Sequence, residues 1–209
     1  MGERRILTGL RRTAAIGAWC AALAIAATTM AIAESGLRPT LASPQPSADQ
    51  LKPGLGVSYA YPDDIRWLTE AKSWRSYESR IKKGAPLTGF LYADTEAGEN
   101  VLTSESSERV IAFIDGFMHF EKTGSHELEF YSNDGLVVTM GGVEVYKSDG
   151  RHPCETEGPV TVDIAQAGWY AVDAVFFQRL QTACLELFVK APGEELDFTK
   201  PEMYAHIPK

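Results

Sequence analysis

The sequence lacks the short motifs by which most metal-dependent, nucleophilic and nucleotide-binding enzymes are recognised. It contains no Cys-x-x-Cys, no His-Glu-x-x-His, no Gly-x-Ser-x-Gly and no glycine-rich phosphate loop. Glycosidases need only two carboxylates at no fixed spacing, and Glu127 with Glu129 is the most obvious pair. Alternating glutamates are ordinary on the solvated face of a strand, so we predict that the protein is not an enzyme. No metal-ligand spacing relates the four histidines, His119, His126, His152 and His206.

Positive charge is scarce. The chain has 20 Lys and Arg against 28 Asp and Glu, which gives a net charge of −8. A surface of this sign repels phosphate backbones, which argues against nucleic acid as a partner. An acidic domain is suited to calcium or to neutral glycans.

The first 33 residues have the pattern of an export signal. Arg4, Arg5, Arg11 and Arg12 precede an alanine-rich apolar run, and Ala31-Ile32-Ala33 supplies small residues before a cleavage site. We predict a signal peptide over residues 1–33 and a periplasmic or secreted protein. The alternative is an uncleaved anchor, because the run is about long enough to cross a bilayer. The protein would meet a membrane only in that case.

Cysteine is also rare, with three in the chain. Cys20 lies in the predicted signal peptide, which leaves Cys154 and Cys184 in the exported part. An even pair in an oxidising compartment predicts a disulfide, with two buried free thiols as the alternative. A bridge that closes a loop of this length would stabilise the fold by roughly 3 kcal/mol.

Residues 34–50 are rich in Pro and Ser and lack apolar periodicity, so we predict a flexible leader. A short helical segment is expected near residues 63–82, after the capping pair Asp63-Asp64. Trp67 and Trp74 in this segment fit either a platform for sugars or lids on the core. The polar surroundings leave both open, although lids are the more common use.

Beyond Arg109 the pattern predicts strands throughout. Apolar and polar residues alternate, Gly116 suggests a bulge, and Gly141-Gly142 suggests a hairpin turn. Short alternating strands joined by glycine-rich turns predict an all-β fold, an antiparallel β-sandwich. The predicted strands are residues 110–120, 126–132, 136–140, 143–146, 160–164, 168–177 and 185–189.

The order of these signals resembles the protective-antigen-type (PA-fourteen) β-sandwich domain. The resemblance rests on several short pieces in order and covers about residues 51–192, with residues 193–209 left as a C-terminal tail. Its pieces are Gly54-Leu55, Phe113-x-x-Gly116-Phe117, Thr123-Gly124-x-x-x-Leu128-x-Phe130-x-Ser132-Asn133-Asp134-Gly135, residues 137–145, Ala167-Gly168-Trp169-Tyr170 and Ala183-x-Leu185-x-Leu187.

By itself the sequence Asn133-Asp134-Gly135 fits either a tight turn or a cation site. The resemblance implies a lectin-like site in which two consecutive Asp residues hold a calcium ion that the sugar also contacts. Asn133 and Asp134 occupy those positions here, and Gln178 falls at the start of the second calcium-binding loop. Asn brings no charge, and Arg179 would oppose a cation.

These observations predict an exported, non-catalytic carbohydrate-binding module of the cell envelope. Asp134 and Asn133 would be the metal ligands, and Asn133, Asp134 and Gln178 would form the ligand site, with calcium and a cell-envelope polysaccharide as partners. One alternative is a structural or protein-interaction domain of the periplasm that meets an envelope protein and has no glycan or calcium site. Another is a small envelope hydrolase.

Overall fold

Alternating residues form strands across the second half of the molecule, as the sequence predicts. We analysed a computed structural model that describes residues 1, 2 and 36–209. In strand 124–133, Leu128 and Phe130 are buried, whereas Glu127 and Glu129 on the opposite face are partly exposed. The period of two therefore separates a core face from a solvent face.

The described residues form thirteen strands and one short α-helix, with three single turns of 3₁₀ helix at residues 74–76, 78–80 and 201–203. The elements are β1 (Lys52–Pro53), β2 (Gly56–Ala60), α1 (Leu68–Ser73), β3 (Lys82–Lys83), β4 (Leu91–Tyr92), β5 (Val110–Phe120), β6 (Gly124–Asn133), β7 (Leu136–Met140), β8 (Val143–Ser148), β9 (Val160–Ile164), β10 (Gly168–Gln178), β11 (Cys184–Lys190), β12 (Asp197–Phe198) and β13 (Tyr204–His206).

The strands form two antiparallel sheets. The first sheet has the order β1-β13-β5-β10-β7-β8, and β2 pairs with both β5 and β3. The second sheet has the order β12-β11-β6-β9, with β4 beside β11. The predicted all-β sandwich is confirmed, and α1 lies within the predicted helical segment.

The main core contains inward-facing side chains of both sheets. Val110, Ala112 and Ile114 of β5 belong to the same buried cluster as Leu128 and Phe130 of β6. Burial of each large apolar side chain stabilises the fold by about 1.5–3 kcal/mol. The two layers are held together chiefly by this cluster.

A second, smaller cluster lies on the outer face of the first sheet. Leu68 and Ala71 of α1 pack there against Val175 and Phe177 of β10. Trp74 is half-buried against this cluster, which fits the lid interpretation. Trp67 is 53% exposed, so the lid interpretation is wrong for this residue.

The segment that precedes β1, which the sequence predicts to be a flexible leader, is hydrogen-bonded to the sandwich. Leu37 exchanges backbone hydrogen bonds with β9, donating to Thr161 O at 2.9 Å and accepting from Asp163 N–H at 2.7 Å. Gln45 bonds Trp169 through both of its side-chain polar atoms, at 2.9 Å each. Backbone pairing with a sheet edge holds this segment although it lacks apolar periodicity.

The predicted domain boundary at residue 192 is too early. Residues of the predicted tail form β13, which pairs with β5 through Tyr204 and Ala205 and lies inside the first sheet. The Tyr204 side chain is buried in the core, and its hydroxyl donates to Thr199 Oγ1 at 2.8 Å. The domain therefore extends to His206. The tail was missed because two- and three-residue strands are too short to show a period.

The predicted bulge at Gly116 is also wrong. β5 and β10 pair without interruption from Val110 to Phe120, and the register shift lies between Val138 and Thr139. A Cβ atom on Gly116 would lie 2.6 Å from Ala205 O, so glycine permits the close approach of β13. The hairpin at Gly141-Gly142 is confirmed, with φ values of 52° and 81°.

The predicted signal peptide, its cleavage site and Cys20 lie outside the described residues. No helix in the part of the chain that the structure describes has the length and apolar character to cross a membrane.

Candidate functional site

Three loops meet at the end of the sandwich where β6 and β10 finish. They are the turn from β6 into β7, the loop after β8, and the loop from β10 to β11. Between them lies an open groove of about 440 Å³. The groove is lined by Asn133, Asp134, Arg151, His152, Pro153, Arg179, Leu180, Gln181 and Thr182. The structure thus places two of the three predicted site residues, Asn133 and Asp134, in one concave surface.

A disulfide fixes the loop after β8 against the second sheet. Cys154 and Cys184 are bonded, as the sequence predicts, and Cys184 pairs with Asn133 across β11 and β6. Glu155 also exchanges backbone hydrogen bonds with Ser132 at 3.2 and 3.3 Å. The bridge therefore holds one wall of the groove close to Asn133.

Asp134 links the three loops through hydrogen bonds. Its carboxylate accepts one from the backbone N–H of Arg179 at 2.7 Å and another from that of His152 at 3.1 Å. Its own N–H donates to Phe177 O at 3.1 Å. Only 5% of the residue is exposed. Asp134 thus acts as an internal acceptor that fixes the loop backbones.

Burial is the main influence on the Asp134 carboxyl and raises its pKa above 3.8. The two N–H donors and the nearby charges of His152 and Arg151 oppose that shift by stabilising the ionised form. Desolvation raises the pKa by more than the hydrogen bonds and nearby charges lower it. The ionised form of Asp134 in the groove therefore reduces the stability of the fold.

Asn133 uses its side chain to fix the β10–β11 loop. Its Nδ2 donates to Thr182 Oγ1 at 2.8 Å, and the residue is 7% exposed. The peptide bond between Asn133 and Asp134 is cis. In the same loop Gln181 has a φ of 70°, in the left-handed region. The hairpin turn that this sequence allows is not formed, because β6 and β7 belong to different sheets and none of Asn133, Asp134 and Gly135 has a positive φ. The side chains of Asn133 and Asp134 bond instead to neighbouring loops.

Gln178 does not line the groove. It is fully buried, and its Nε2 donates to Thr182 O at 3.2 Å. Its Oε1 has no hydrogen-bond partner among the described residues. Gln178 therefore supports the loop from beneath, and the structure does not bring it together with Asn133 and Asp134 at the groove surface.

The residues present do not fit a calcium ion. Calcium takes six to eight oxygen ligands, and its affinity depends on the number of charged ones. Asp134 is the single carboxylate that lines the groove, and both of its oxygens already accept hydrogen bonds. No group of three or more His, Cys, Asp or Glu side chains suited to a metal occurs within the described residues.

Cationic side chains instead line the groove. Arg179 donates a hydrogen bond through Nε to the Asp64 carboxylate at 2.7 Å. This bond, together with a second one from Arg66, lowers the pKa of Asp64 to about 2. His152 lies within hydrogen-bond distance of Ser148 Oγ, at 3.0 Å. Arg151 is exposed and forms no ion pair or side-chain hydrogen bond with any other described residue. Sequence reasoning missed Arg151 because a single Arg in a turn carries no pattern.

The possible catalytic pair is engaged in surface contacts. Lys190 Nζ donates to Glu127 at 2.7 Å, and the Tyr131 hydroxyl donates to Glu129 at 3.0 Å. Both glutamates lie on the outer face of the second sheet, away from the groove. Their arrangement offers no pair of free carboxylates in a cleft, which a glycosidase would need.

Comparison with solved structures identifies the fold. The PA14 sugar-binding domain of an RTX adhesin is 13% identical, with a TM-score of 0.58 over 74% of this chain and 98% of that one. The PA14 domain of the antifreeze protein MpAFP is 13% identical, with a TM-score of 0.62 over 79% and 96%. The A domain of epithelial adhesin 6 from Candida glabrata, solved with Galb1-3GlcNAc, is 16% identical, with a TM-score of 0.63 over 80% and 92%.

No family model matches the sequence, and no curated protein matches it. The chain has the fold of the PA14 domains, as the resemblance predicts. At these identities the likeness shows the fold alone, so the function must be argued from the groove.

Proposed function

We propose that the protein is a non-catalytic carbohydrate-binding module whose site is the groove at the end of β6 and β10. The observation that carries this proposal is the groove itself, a concave and polar surface built from loops that Asp134 holds together. A preorganised site of this kind binds a flexible glycan at a lower entropic cost.

The structural neighbours support this proposal. Among them are a sugar-binding domain of an adhesin and an adhesin domain in complex with a disaccharide. Those activities belong to those proteins, and they make a glycan the first ligand class to test here. The disulfide between Cys154 and Cys184 supports export, because such bonds persist in oxidising compartments.

A glycan array followed by isothermal titration calorimetry tests this function. We expect saturable binding to at least one cell-envelope polysaccharide, with Asp134→Ala abolishing it because the loops lose their common acceptor. Glu194→Ala is the matched control, since this acidic residue lies near the other end of the sandwich in an exposed ion pair with Lys122. Absence of binding to every glycan would remove the proposal.

A protein-interaction domain is the second candidate, favoured by an aromatic strip on the outer face of the second sheet. The ring centroids of Phe188 and Phe198 are 4.1 Å apart, and Phe198 is 50% exposed. Glu129 and Glu186 flank Phe188, so the complementary partner is an envelope protein with a basic segment. Salt-sensitive capture of such a partner that Phe198→Ala abolishes would support this role.

A further inference from the structure

The charges that line the groove are unequally satisfied. Asp134 is buried and accepts two backbone hydrogen bonds, and Arg179 is paired with Asp64. Arg151 is the exposed charged side chain that remains without an ion-pair partner among the described residues. On a chain of net charge −8, the groove thus presents to solvent a guanidinium that forms no ion pair with any described residue.

An exposed tryptophan, which lies outside the groove lining, packs on the residue that precedes this arginine. Trp67 is 53% exposed, and a Cβ atom on Gly150 would lie only 3.1 Å from its Cζ3. The indole edge therefore packs on the backbone of Gly150, the residue directly before Arg151. Gly150 has a φ of 90°, so glycine provides both the turn and the space for the ring.

Asp149 holds the two residues on one support. Its Oδ1 accepts hydrogen bonds from the backbone N–H groups of Leu68 at 2.7 Å and Gly150 at 2.8 Å. One carboxylate oxygen thereby fixes the segment that follows Trp67 to the segment that precedes Arg151. The backbone segments that carry Trp67 and Arg151 are thereby linked to each other.

We propose that the groove is selective for acidic glycans, with Arg151 binding a carboxylate or sulfate group and Trp67 stacking on a neighbouring sugar ring. A guanidinium presents paired N–H donors that match both anions, and an indole face packs well on the C–H face of a pyranose. This inference rests on the proposed glycan-binding function and names its ligand class. It needs no metal, in agreement with the donor set of the groove.

Titration calorimetry with three polysaccharides tests the ligand class. Polygalacturonate supplies carboxylates, dextran sulfate supplies sulfates, and dextran is neutral. We expect the acidic ligand to bind at least about tenfold more tightly than dextran, to weaken as salt is added, and to bind equally well with EDTA. The stronger of the two acidic ligands assigns the anion. Binding that EDTA abolishes would overturn the proposal.

Two pairs of variants test the residues. Arg151→Gln should weaken binding of the acidic ligand about tenfold, whereas Arg38→Gln changes the net charge equally and should not, because Arg38 lies beside Asp163 on β9. Trp67→Ala should weaken it about five- to tenfold. Phe198→Ala removes a similarly exposed aromatic near the opposite end and should leave the affinity unchanged.

The outcomes separate this inference from the function on which it rests. If dextran binds as tightly as the acidic polymers and Arg151→Gln has no effect, acid selectivity is wrong while glycan binding stands. If poly-glutamate binds as tightly as polygalacturonate, the groove recognises charge and not sugar, and the inference fails. If no polysaccharide binds, both proposals fail. Thermal melting of each variant shows whether a lost affinity reflects a lost fold.

Discussion

The charged residues at the two ends of the sandwich have different bonding partners. At the end opposite the groove, a cavity of about 230 Å³ is lined by residues that include Lys122, His126 and Glu194. There Lys122 pairs with Glu194 at 2.6 Å, and His126 is buried against Phe120. At the groove, a buried Asp134 binds backbone N–H groups and Arg151 faces solvent. At the groove the carboxylate is thus bonded to backbone groups, and the neighbouring guanidinium has no ion-pair partner among the described residues.

The largest effect is expected from the disulfide between Cys154 and Cys184, which lies at the groove end. Replacement of Cys154 and Cys184 by Ser opens a bridge across 30 residues and should lower the free energy of unfolding by about 3–4 kcal/mol. Urea unfolding monitored by tryptophan fluorescence measures this loss. Reduction of the wild type should reproduce it, and equal stability of the oxidised and reduced proteins would contradict it.

Asp134→Ala should have the next largest effect on stability. The change leaves the N–H groups of Arg179 and His152 without their acceptor, which should cost about 2–4 kcal/mol. Glu194→Ala should leave the melting temperature unchanged, because an exposed ion pair contributes little. Calorimetric melting of both variants checks this difference. Similar losses would show that the two ends do not differ as described.

Gly135→Ala should test how closely the residue after Asp134 is packed against β10. A Cβ atom there would lie 2.3 Å from Cε1 of the buried Phe177, so the ring must move, at a cost of about 1–3 kcal/mol. Gly56→Ala should destabilise the fold less, because the added Cβ atom would lie 3.3 Å from its nearest neighbour, Asp115 O. Chemical denaturation of the pair gives the order, and a larger loss at Gly56 would contradict the expectation.

The smallest effects should appear in the pH dependence, with opposite signs at the two ends. Burial lowers the pKa of His126 below 6.5, although Glu194 opposes the shift, so stability is lost as pH falls from 6.5 toward the folded-state value. Burial raises the pKa of Asp134 above 3.8, so its contribution to stability increases as pH falls through the folded-state value toward 3.8.

Denaturation at pH values between about 7 and 4 separates these contributions. His126→Gln should flatten the fall in stability below pH 6.5, and Asp134→Asn should remove the gain at lower pH. The variants are compared by how the free energy of unfolding changes with pH and not by its absolute value, because each substitution also alters a hydrogen bond. If both variants have the same pH dependence of the free energy of unfolding as the wild type, these two groups do not titrate as proposed.

The sandwich could be predicted because the pattern that indicates each strand lies in neighbouring residues. Leu128 and Phe130 against Glu127 and Glu129 show a period of two over neighbouring residues, and Gly141-Gly142 fits one hairpin turn. β13 could not be predicted in the same way. Its three residues are placed by pairing with β5, more than eighty positions earlier in the chain. Such non-local contacts leave no mark in a sequence window.

The site was predictable only where the resemblance supplied residues. Asn133 and Asp134 could be assigned to one surface because they follow a strand with a recognisable pattern. The segments that carry Arg151 and Trp67 are linked by a carboxylate oxygen of Asp149 and by the packing of the indole on Gly150, neither of which periodicity can show. Gln178 was misplaced because its position at the end of β10 does not determine which way the loop carries it.

The place of β13 also fixes when the fold can be completed. Tyr204 fills the core and β13 covers the edge of β5, so the first sheet remains open on the ribosome until residue 206 has been synthesised and released from the exit tunnel. Folding of the first sheet is thus coupled to the synthesis of a strand that lies more than eighty positions after its pairing partner in β5.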